Sequence, residues 1–380
     1  MEDVLAEFRR NKFVFPDYKN SNLAAIRETV AQKGHRTGDK PNKIFLVVDG
    51  LGFNLISDLL ASEKRNSALG SAKVEEISTV FPSTTTAVMN SLESGQTPAE
   101  HGVIGWDVYQ KELGTVVTPY RDAPAFTKSM RLSADGVRSL LPKPALLEKA
   151  AGTGRIGIVY PEGIVMGDEI EGASQVQYYT STDMFIQLRK AVSKGGEWFL
   201  YAYYDGIDHL EHKYGYTSES VKQSVLAFFG ELDRLLLPQL KRSDYNLIIT
   251  ADHGQIEAKR VLVRSDDRMM DYLVMPPWGD SRTLCVNVWP GKERAFRRFF
   301  EAEYGKDAVL LDSDSLIATG VFGKDHVTPE IRHRFGTHMI LMKEDKAMKY
   351  DYPTKSSKHE LFGVHSGLSK REMRVPLIVY

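Results

Sequence analysis

Several stretches of this chain place acids and imidazoles where an apolar run stops. "IITADHG" (248–254) ends in Asp252 and His253, and "KIFLVVDG" (43–50) ends in Asp49. "WFLYAYYDGIDHLEHKYG" (198–215) carries Asp208 and His212 four residues apart, and His365 sits in the Gly-flanked turn "GVHSGLS" (363–369). Each has an ordinary meaning alone: an Asp-Gly turn, a solvated helix face, a satisfied histidine. Three Asp and three His at one place would mean something else, because that much anionic charge does not gather without a cation. Carboxylate plus imidazole without thiolate suits zinc or manganese better than magnesium or calcium. Six ligands suffice for two ions, and two-metal sites clamp the attacking and leaving oxygens of an in-line phosphoryl displacement. Such chemistry needs a nucleophile, and "FPSTTTAVMN" (81–90) offers a cluster of hydroxyls. An Ser/Thr-rich helix N-cap is the commoner meaning of that run; the sharper one is a hydroxyl activated by a metal.

The elements that must carry these residues follow a β/α alternation. "STTTAVMNSLESG" (83–95) reads as a helix with hydroxyls at its start and Gly95 at its end. "PALLEKAAGTG" then "RIGIVY" (144–160) reads as helix then strand. So do "TDMFIQLRKAVSKGG" then "EWFLYAYYDG" (182–206) and "SESVKQSVLAFFGELDRLLLPQL" then "YNLIITADHG" (218–254). Near-continuous apolar strands between amphipathic helices imply an α/β fold with a mostly parallel central sheet and helices on both faces. In open sheets of this type ligands bind outside the carboxyl ends of the strands, which is where the acids and imidazoles fall. From about residue 256 to 345 the texture becomes turn-rich, with a basic helix at "KERAFRRFFEAEYG" (292–305). A smaller inserted α+β subdomain is expected there, with residues 1–255 and 346–380 forming the catalytic core. The last six residues could rejoin the sheet, and "DYPTKSSKHELFG" (351–363) reads as a polar loop.

Composition narrows the function classes. The chain has 380 residues, 42% hydrophobic and 26% charged, with 49 Lys+Arg against 50 Asp+Glu and a net charge of -1. No global field pulls in a nucleic-acid polymer or an anionic membrane. Cys285 is the single cysteine, so an intrachain disulfide and a Cys-based zinc site are both excluded. No apolar run is long enough to span a bilayer. A cytoplasmic protein acting on a small-molecule phosphate ester is the expectation.

Taken in order, "VVDGLG", "FPSTTTAVMNSLESGQTPAEHGVIGW", "YAYYDGIDHLEHKYG", "IITADHG" and "GVHSGLS" resemble the alkaline phosphatase superfamily, and within it the type I phosphodiesterase/nucleotide pyrophosphatase family. The resemblance covers roughly residues 43–110, 145–255 and 360–380. It implies hydrolysis of phosphodiester or phosphoanhydride (nucleotide-type) substrates through a phospho-threonine intermediate, with two divalent ions, zinc or alternatively manganese, as cofactors. In that family the nucleophile lies ten residues before the Gly that closes its helix, which from Gly95 gives Thr85, with Thr84 and Thr86 as neighbours. Asp49, Asp252 and His253 would bind the ion that activates Thr85, itself a ligand; Asp208, His212 and His365 would bind the other. The family spacing Asp, three residues, His, two residues, Gly selects Asp208/His212 with Gly215 over Asp205/His209, which has Lys213 where that Gly belongs.

The resemblance also implies one departure. The family's eukaryotic members carry an Asn shortly after the "HG" turn that helps hold a phosphate oxygen, and here Trp106 stands at that distance. Tyr109, Arg121 or a residue of the inserted subdomain could serve instead. His101 fits the "HG" turn as a structural residue, and His326, His333, His338, His359 and Cys285 are read as surface or packing residues. Sulfatases are excluded by the absence of a C/S-x-P-x-R motif. A phosphomonoesterase or phosphonate hydrolase would use the same core, and a non-catalytic phosphate-binding protein is the alternative from another class.

Overall fold

The computed structural model describes residues 2–19, 40–62, 69–70, 72–127, 129–132, 141–152, 154–164, 170–352 and 361–380, with Ile26 and Val137. His359 and most of the 351–363 loop lie outside the described residues.

Seven strands form the central sheet: β1 (Asn42–Val48), β2 (Lys73–Ser78), β3 (Arg155–Pro161), β4 (Ser174–Tyr178), β5 (Trp198–Tyr204), β6 (Tyr245–Thr250) and β7 (Arg374–Val379). Their order across the sheet is β2-β7-β6-β1-β5-β3-β4. β1 pairs in parallel with both β5 and β6, and β3 in parallel with both β4 and β5. Only β7 runs the other way, antiparallel to β6 and β2. The C-terminal residues therefore do rejoin the sheet, as its one antiparallel member. Every residue of β1 and β6 is buried, which requires cover on both faces and explains why these strands read as unbroken apolar runs.

The helices are α1 (Glu2–Arg10), α2 (Phe53–Ser62), α3 (Thr85–Ser94), α4 (Ala145–Ala151), α5 (Ser181–Ser193), α6 (Gly206–Tyr214), α7 (Glu219–Leu235) and α8 (Glu293–Glu303), besides shorter turns. α2, α3, α5 and α7 supply Leu55, Val88, Phe185 and Phe228 to one apolar core with the central strands. α3 ends where Gly95 takes a left-handed conformation, φ +75°, and donates its N–H to the Ser91 carbonyl, a geometry glycine adopts without steric cost.

Between β6 and β7 the chain builds a second, antiparallel sheet of Trp278–Asp280, Thr283–Val286, His338–Met342 and Ala308–Asp312. The basic helix α8 packs Phe296, Phe299 and Phe300 into an apolar core with Leu284, Val286, Leu310 and Ile340 of that sheet. Lys259–Val263 pairs in parallel with Lys346–Tyr350. The second sheet meets the loop after α3 where Asp107 and Gly279 exchange backbone hydrogen bonds of 2.9 Å each way. A β-carbon on Gly105 would overlap the Gly279 backbone, so Gly105 permits the second sheet to sit directly over the loop after α3.

Candidate active site

Asp49 follows β1, Asp205 follows β5, and Asp252-His253 follow β6. β5 and β6 flank β1 on opposite sides, so these turns open at one crevice, beyond the carboxyl ends of the strands. α3 contributes Thr85 at its first position, α6 contributes Asp208 and His212, and the turn after Gly363–Val364 contributes His365.

The six predicted ligands converge. Asp252 is fully buried; its Oδ1 accepts hydrogen bonds from the Gly50 and His253 N–H groups at 3.1 and 2.9 Å. Its Oδ2 lies 3.3 Å from His253 Nε2, and Asp49 Oδ1 lies 3.4 Å from the same nitrogen. Asp49 Oδ2 accepts the Tyr203 hydroxyl. Asp208 Oδ2 lies 3.3 Å from His212 Nε2, and Gln255 Nε2 donates to Asp208 Oδ1. The His253 and His365 rings stack at 3.7 Å, and the His212 ring is 5.2 Å from that of His365. Among the described residues two clusters have ligand atoms within 4.8 Å of one another: Asp49, Asp252 and His253, and Asp208, His253 and His365. His253 belongs to both, and His212 is joined to the second through Asp208.

The imidazoles share one orientation. Nδ1 of His212 faces the Gly363 carbonyl at 2.8 Å, that of His365 the Ser83 carbonyl at 3.1 Å, and that of His253 the Gly254 carbonyl at 3.2 Å. A carbonyl only accepts, so Nδ1 carries the proton in each contact and Nε2 is turned to the cluster, the arrangement that orients metal-binding histidines. Asp49 Oδ1 and Asp252 Oδ2 are buried without any hydrogen-bond donor. Burial, reinforced by the Asp208 and Asp252 carboxylates, holds the Asp49 carboxyl well above the usual range. Burial, then the neighbouring His253 and His365-facing His212 rings, pushes the His365 imidazole well below its usual value. Orphaned carboxylate oxygens facing Nε2 atoms are the donor set of a divalent cation with nitrogen and oxygen ligands. The residues fit such ions.

The hydroxyls of the threonine run diverge. Thr84 Oγ1 donates to Asp280 Oδ2 at 2.6 Å, and Thr86 Oγ1 to the Gly105 carbonyl at 2.7 Å. Thr85 Oγ1 lies 3.1 Å from His253 Nε2. Thr84 is the N-cap of α3, yet its side chain makes no capping bond, and the N-terminus of a helix favours an anion.

Thr85, Asp49 and His365 line a cavity of about 1750 Å³, walled also by Trp106, Tyr120, Arg121, Asp280, Lys349 and others. The Arg121 guanidinium sits 5.7 Å over the Trp106 ring. Tyr109 instead packs its ring against Trp278 and His333. Asp205 pairs with His209 at 3.5 Å, and the His209 side chain is 70% exposed. His101 is buried, taking the Val103 N–H on Nδ1 and touching Ser91 Oγ at 2.9 Å. Cys285 is buried in apolar packing, His338 is buried, and His326 is exposed beside Asp325. Sequence reasoning did not single out Tyr203, Gln255, Asp280, Arg282 or Glu372. Tyr203 ends an apolar strand like any aromatic, and the others meet the site through contacts that local patterning does not encode.

The fold and the hydrolytic class belong together: this is a hydrolase of the alkaline phosphatase superfamily. Residues 43–368 match the family of type I phosphodiesterases / nucleotide pyrophosphatases, and the chain belongs to that family. Among solved structures it is similar to murine ectonucleotide pyrophosphatase / phosphodiesterase 5, with TM-score 0.64, 15% identity, and 88% and 87% of the two chains covered. It is also similar to an inactive threonine-to-alanine form of that murine protein in complex with AMP, with TM-score 0.62, 15% identity, and 88% and 87% coverage. Phosphonoacetate hydrolase from Sinorhizobium meliloti 1021 in complex with phosphonoformate gives TM-score 0.61, 17% identity, and 91% of each chain covered. No curated protein matches the sequence. Among the described residues no helix is long and apolar enough to cross a membrane.

Proposed function

We propose that this chain hydrolyses phosphodiester or phosphoanhydride bonds of nucleotide-type small molecules, with Thr85 as the nucleophile. The observation that carries the reading is the contact of Thr85 Oγ1 with His253 Nε2 at 3.1 Å, beside the donor-less oxygens of Asp49 and Asp252. Asp49, Asp252 and His253, with Thr85, would hold one divalent ion, and Asp208, His212 and His365 the other. When bound, two zinc or manganese ions would supply Lewis-acid activation of the hydroxyl and neutralise charge on the phosphorus oxygens. Thr85 Oγ1 then forms a bond to phosphorus as the bond to the leaving oxygen breaks, giving a phospho-threonine. The N-terminus of α3 would favour the charge on the equatorial oxygens. Water displaces Thr85 Oγ1 from phosphorus, restoring the hydroxyl and releasing the phosphate monoester. The AMP-bound murine neighbour, inactive without its threonine, supports this assignment by analogy.

Residues 256–345 would act as a cap-like subdomain that shapes the leaving-group side of the cavity. A second reading, phosphonate or monoester hydrolysis, draws on Arg121, Arg131 and Lys143, which line the same cavity and would suit a second anionic group. The test is hydrolysis of bis-p-nitrophenyl phosphate, p-nitrophenyl phosphate and phosphonoacetate by protein stripped of metal and reloaded with zinc or manganese. Diester turnover well above the other two is the expected result. Faster monoester or phosphonate turnover establishes the second reading, and inactivity on all three with metal bound overturns both. Buried Cys285, the single cysteine, supports a cytoplasmic setting; recovery of the native protein outside the cell would contradict it.

A further inference from the structure

The turn joining Trp278–Asp280 to Thr283–Val286 grips the candidate centre from both sides. On one side Asp280 Oδ2 accepts the hydroxyl of Thr84, the residue before Thr85, at 2.6 Å. On the other side both bonds go to Ser366, the residue after His365. The Arg282 N–H donates to Ser366 Oγ at 3.0 Å, and Thr283 Oγ1 donates to the Ser366 carbonyl at 2.6 Å. Ser366 has φ +91°, a conformation L side chains rarely adopt, which persists only where the surroundings over-determine it. Its own N–H donates to the Ser83 carbonyl at 2.8 Å, and Ser83 Oγ donates to the Gly367 carbonyl at 2.8 Å.

A fully buried ion pair locks this arrangement. Arg282 Nε donates to Glu372 Oε1 at 2.7 Å, with both side chains 0% exposed. The same carboxylate accepts the Gly367 N–H at 2.7 Å and the Ser369 N–H at 3.2 Å. Arg282 Nη1 also donates to the Lys346 carbonyl. A β-carbon at Gly367 would meet both Arg282 Nε and the Glu372 carboxylate at 2.8 Å, so the turn after His365 is moulded around the pair.

We propose that Arg282 and Thr283 are positioning residues: from outside the central sheet they fix where His365 stands relative to Thr85. The cation affinity of the Asp208/His212/His365 cluster is therefore set by this turn, whereas the Asp252-His253 turn meets Glu372 only through its backbone carbonyl, at the Gly254 N–H, and not through the carboxylate that Arg282 holds. The inference rests on the two-ion reading above. A purely structural ion pair would lower stability and affect both clusters alike. A positioning role weakens one cluster selectively, and groups that orient metal ligands change metal affinity by about 10–100-fold when removed.

The experiment is chelator-competition titration of the whole protein with zinc, read as bound equivalents per chain, for wild type, Arg282→Met, Arg282→Lys and Thr283→Val. Cobalt substitution gives an independent optical readout of each cluster. Arg282→Met is expected to keep one tight equivalent and bind the second at least about 10-fold more weakly, with partial recovery in Arg282→Lys, which retains the charge opposite Glu372. Thr283→Val deletes one hydroxyl in a buried strand, so it keeps the question open should Arg282→Met fail to fold. It should weaken the second equivalent with the melting temperature little changed. A folded Thr283→Val that binds both equivalents as wild type does, or loses both equally, overturns the inference. Wild type that takes up no metal at all overturns the functional reading and this inference together.

Discussion

Tyr203→Phe isolates one hydrogen bond at the metal-facing carboxylate. The Tyr203 hydroxyl donates to Asp49 Oδ2 from a ring that is only 6% exposed. Burial, then the Asp49 charge, pushes the phenol well above its usual range, so it stays a donor at any working pH. A hydrogen bond to a charged group contributes about 1.5–3 kcal/mol, and each ~1.4 kcal/mol is a factor of ten in affinity. Phenylalanine keeps the ring in place, so the change removes the donor and little packing. It also strips the ionised form of Asp49 of its one neutral donor, and the ionised form is the one that binds a cation. The affinity of the Asp49/Asp252/His253 cluster should fall roughly 10- to 150-fold by this conversion. Zinc titration against a competing chelator measures it directly, with the melting temperature of the metal-free protein as the control for packing. Wild-type affinity in a well-folded Tyr203→Phe would refute the argument that Asp49 is a charged ligand held by this bond.

Thr85→Ala should abolish turnover while the six Asp and His ligands still hold metal at saturating concentration, and full activity in that variant would remove Thr85 as the nucleophile. Metal at 100 times its Kd should stabilise the protein by about 2.7 kcal/mol per site, seen as a metal-dependent shift in urea unfolding that vanishes with chelator. Burial, then the Arg334 charge, pulls the His101 imidazole down to about 3, whereas an unfolded histidine titrates near 6.5. The unfolded state therefore binds the extra proton between those values, and stability present above about pH 6.5 is lost as pH falls towards 3. Between pH 7 and pH 5 wild type should lose about 2 kcal/mol more than His101→Gln, which parallel urea titrations would show or deny. Phe228→Ala removes a ring packed against Phe185, Tyr204 and Phe229 and should cost about 3–5 kcal/mol, measured by the same unfolding.

The sheet and its crevice were legible because the signal is local. Each apolar run that ends in Asp49, Asp205 or Asp252 announces both a buried strand and a polar residue at its carboxyl end. Choosing Thr85 among three adjacent threonines took a family spacing, since composition treats them alike; the fold separates them by giving Thr84 to Asp280 and Thr86 to Gly105. The supporting residues were not legible. "WGDSRT" reads as a turn, and nothing near it reveals that Asp280 meets a hydroxyl 196 residues away or that Arg282 meets Glu372 across 90. The reversed direction of β7 was equally hidden, because an apolar run has no orientation until its neighbours are placed.

β7 has a consequence for the order in which the molecule assembles. Among the described residues it is the sole sheet partner of β2, and the residues just before it accept hydrogen bonds from the crevice: the Thr79 N–H donates to the Met373 carbonyl at 2.8 Å and the Gly254 N–H to the Glu372 carbonyl at 3.0 Å. These contacts join residues far apart in sequence, Thr79 with Met373 and Gly254 with Glu372, so their loop-closure entropy is met after the local β/α units have formed. The turn holding Asp252 and His253 is thus fastened late. On refolding from denaturant, helical signal should return first and the capacity to bind metal last, with the interval between them reporting the docking of β7.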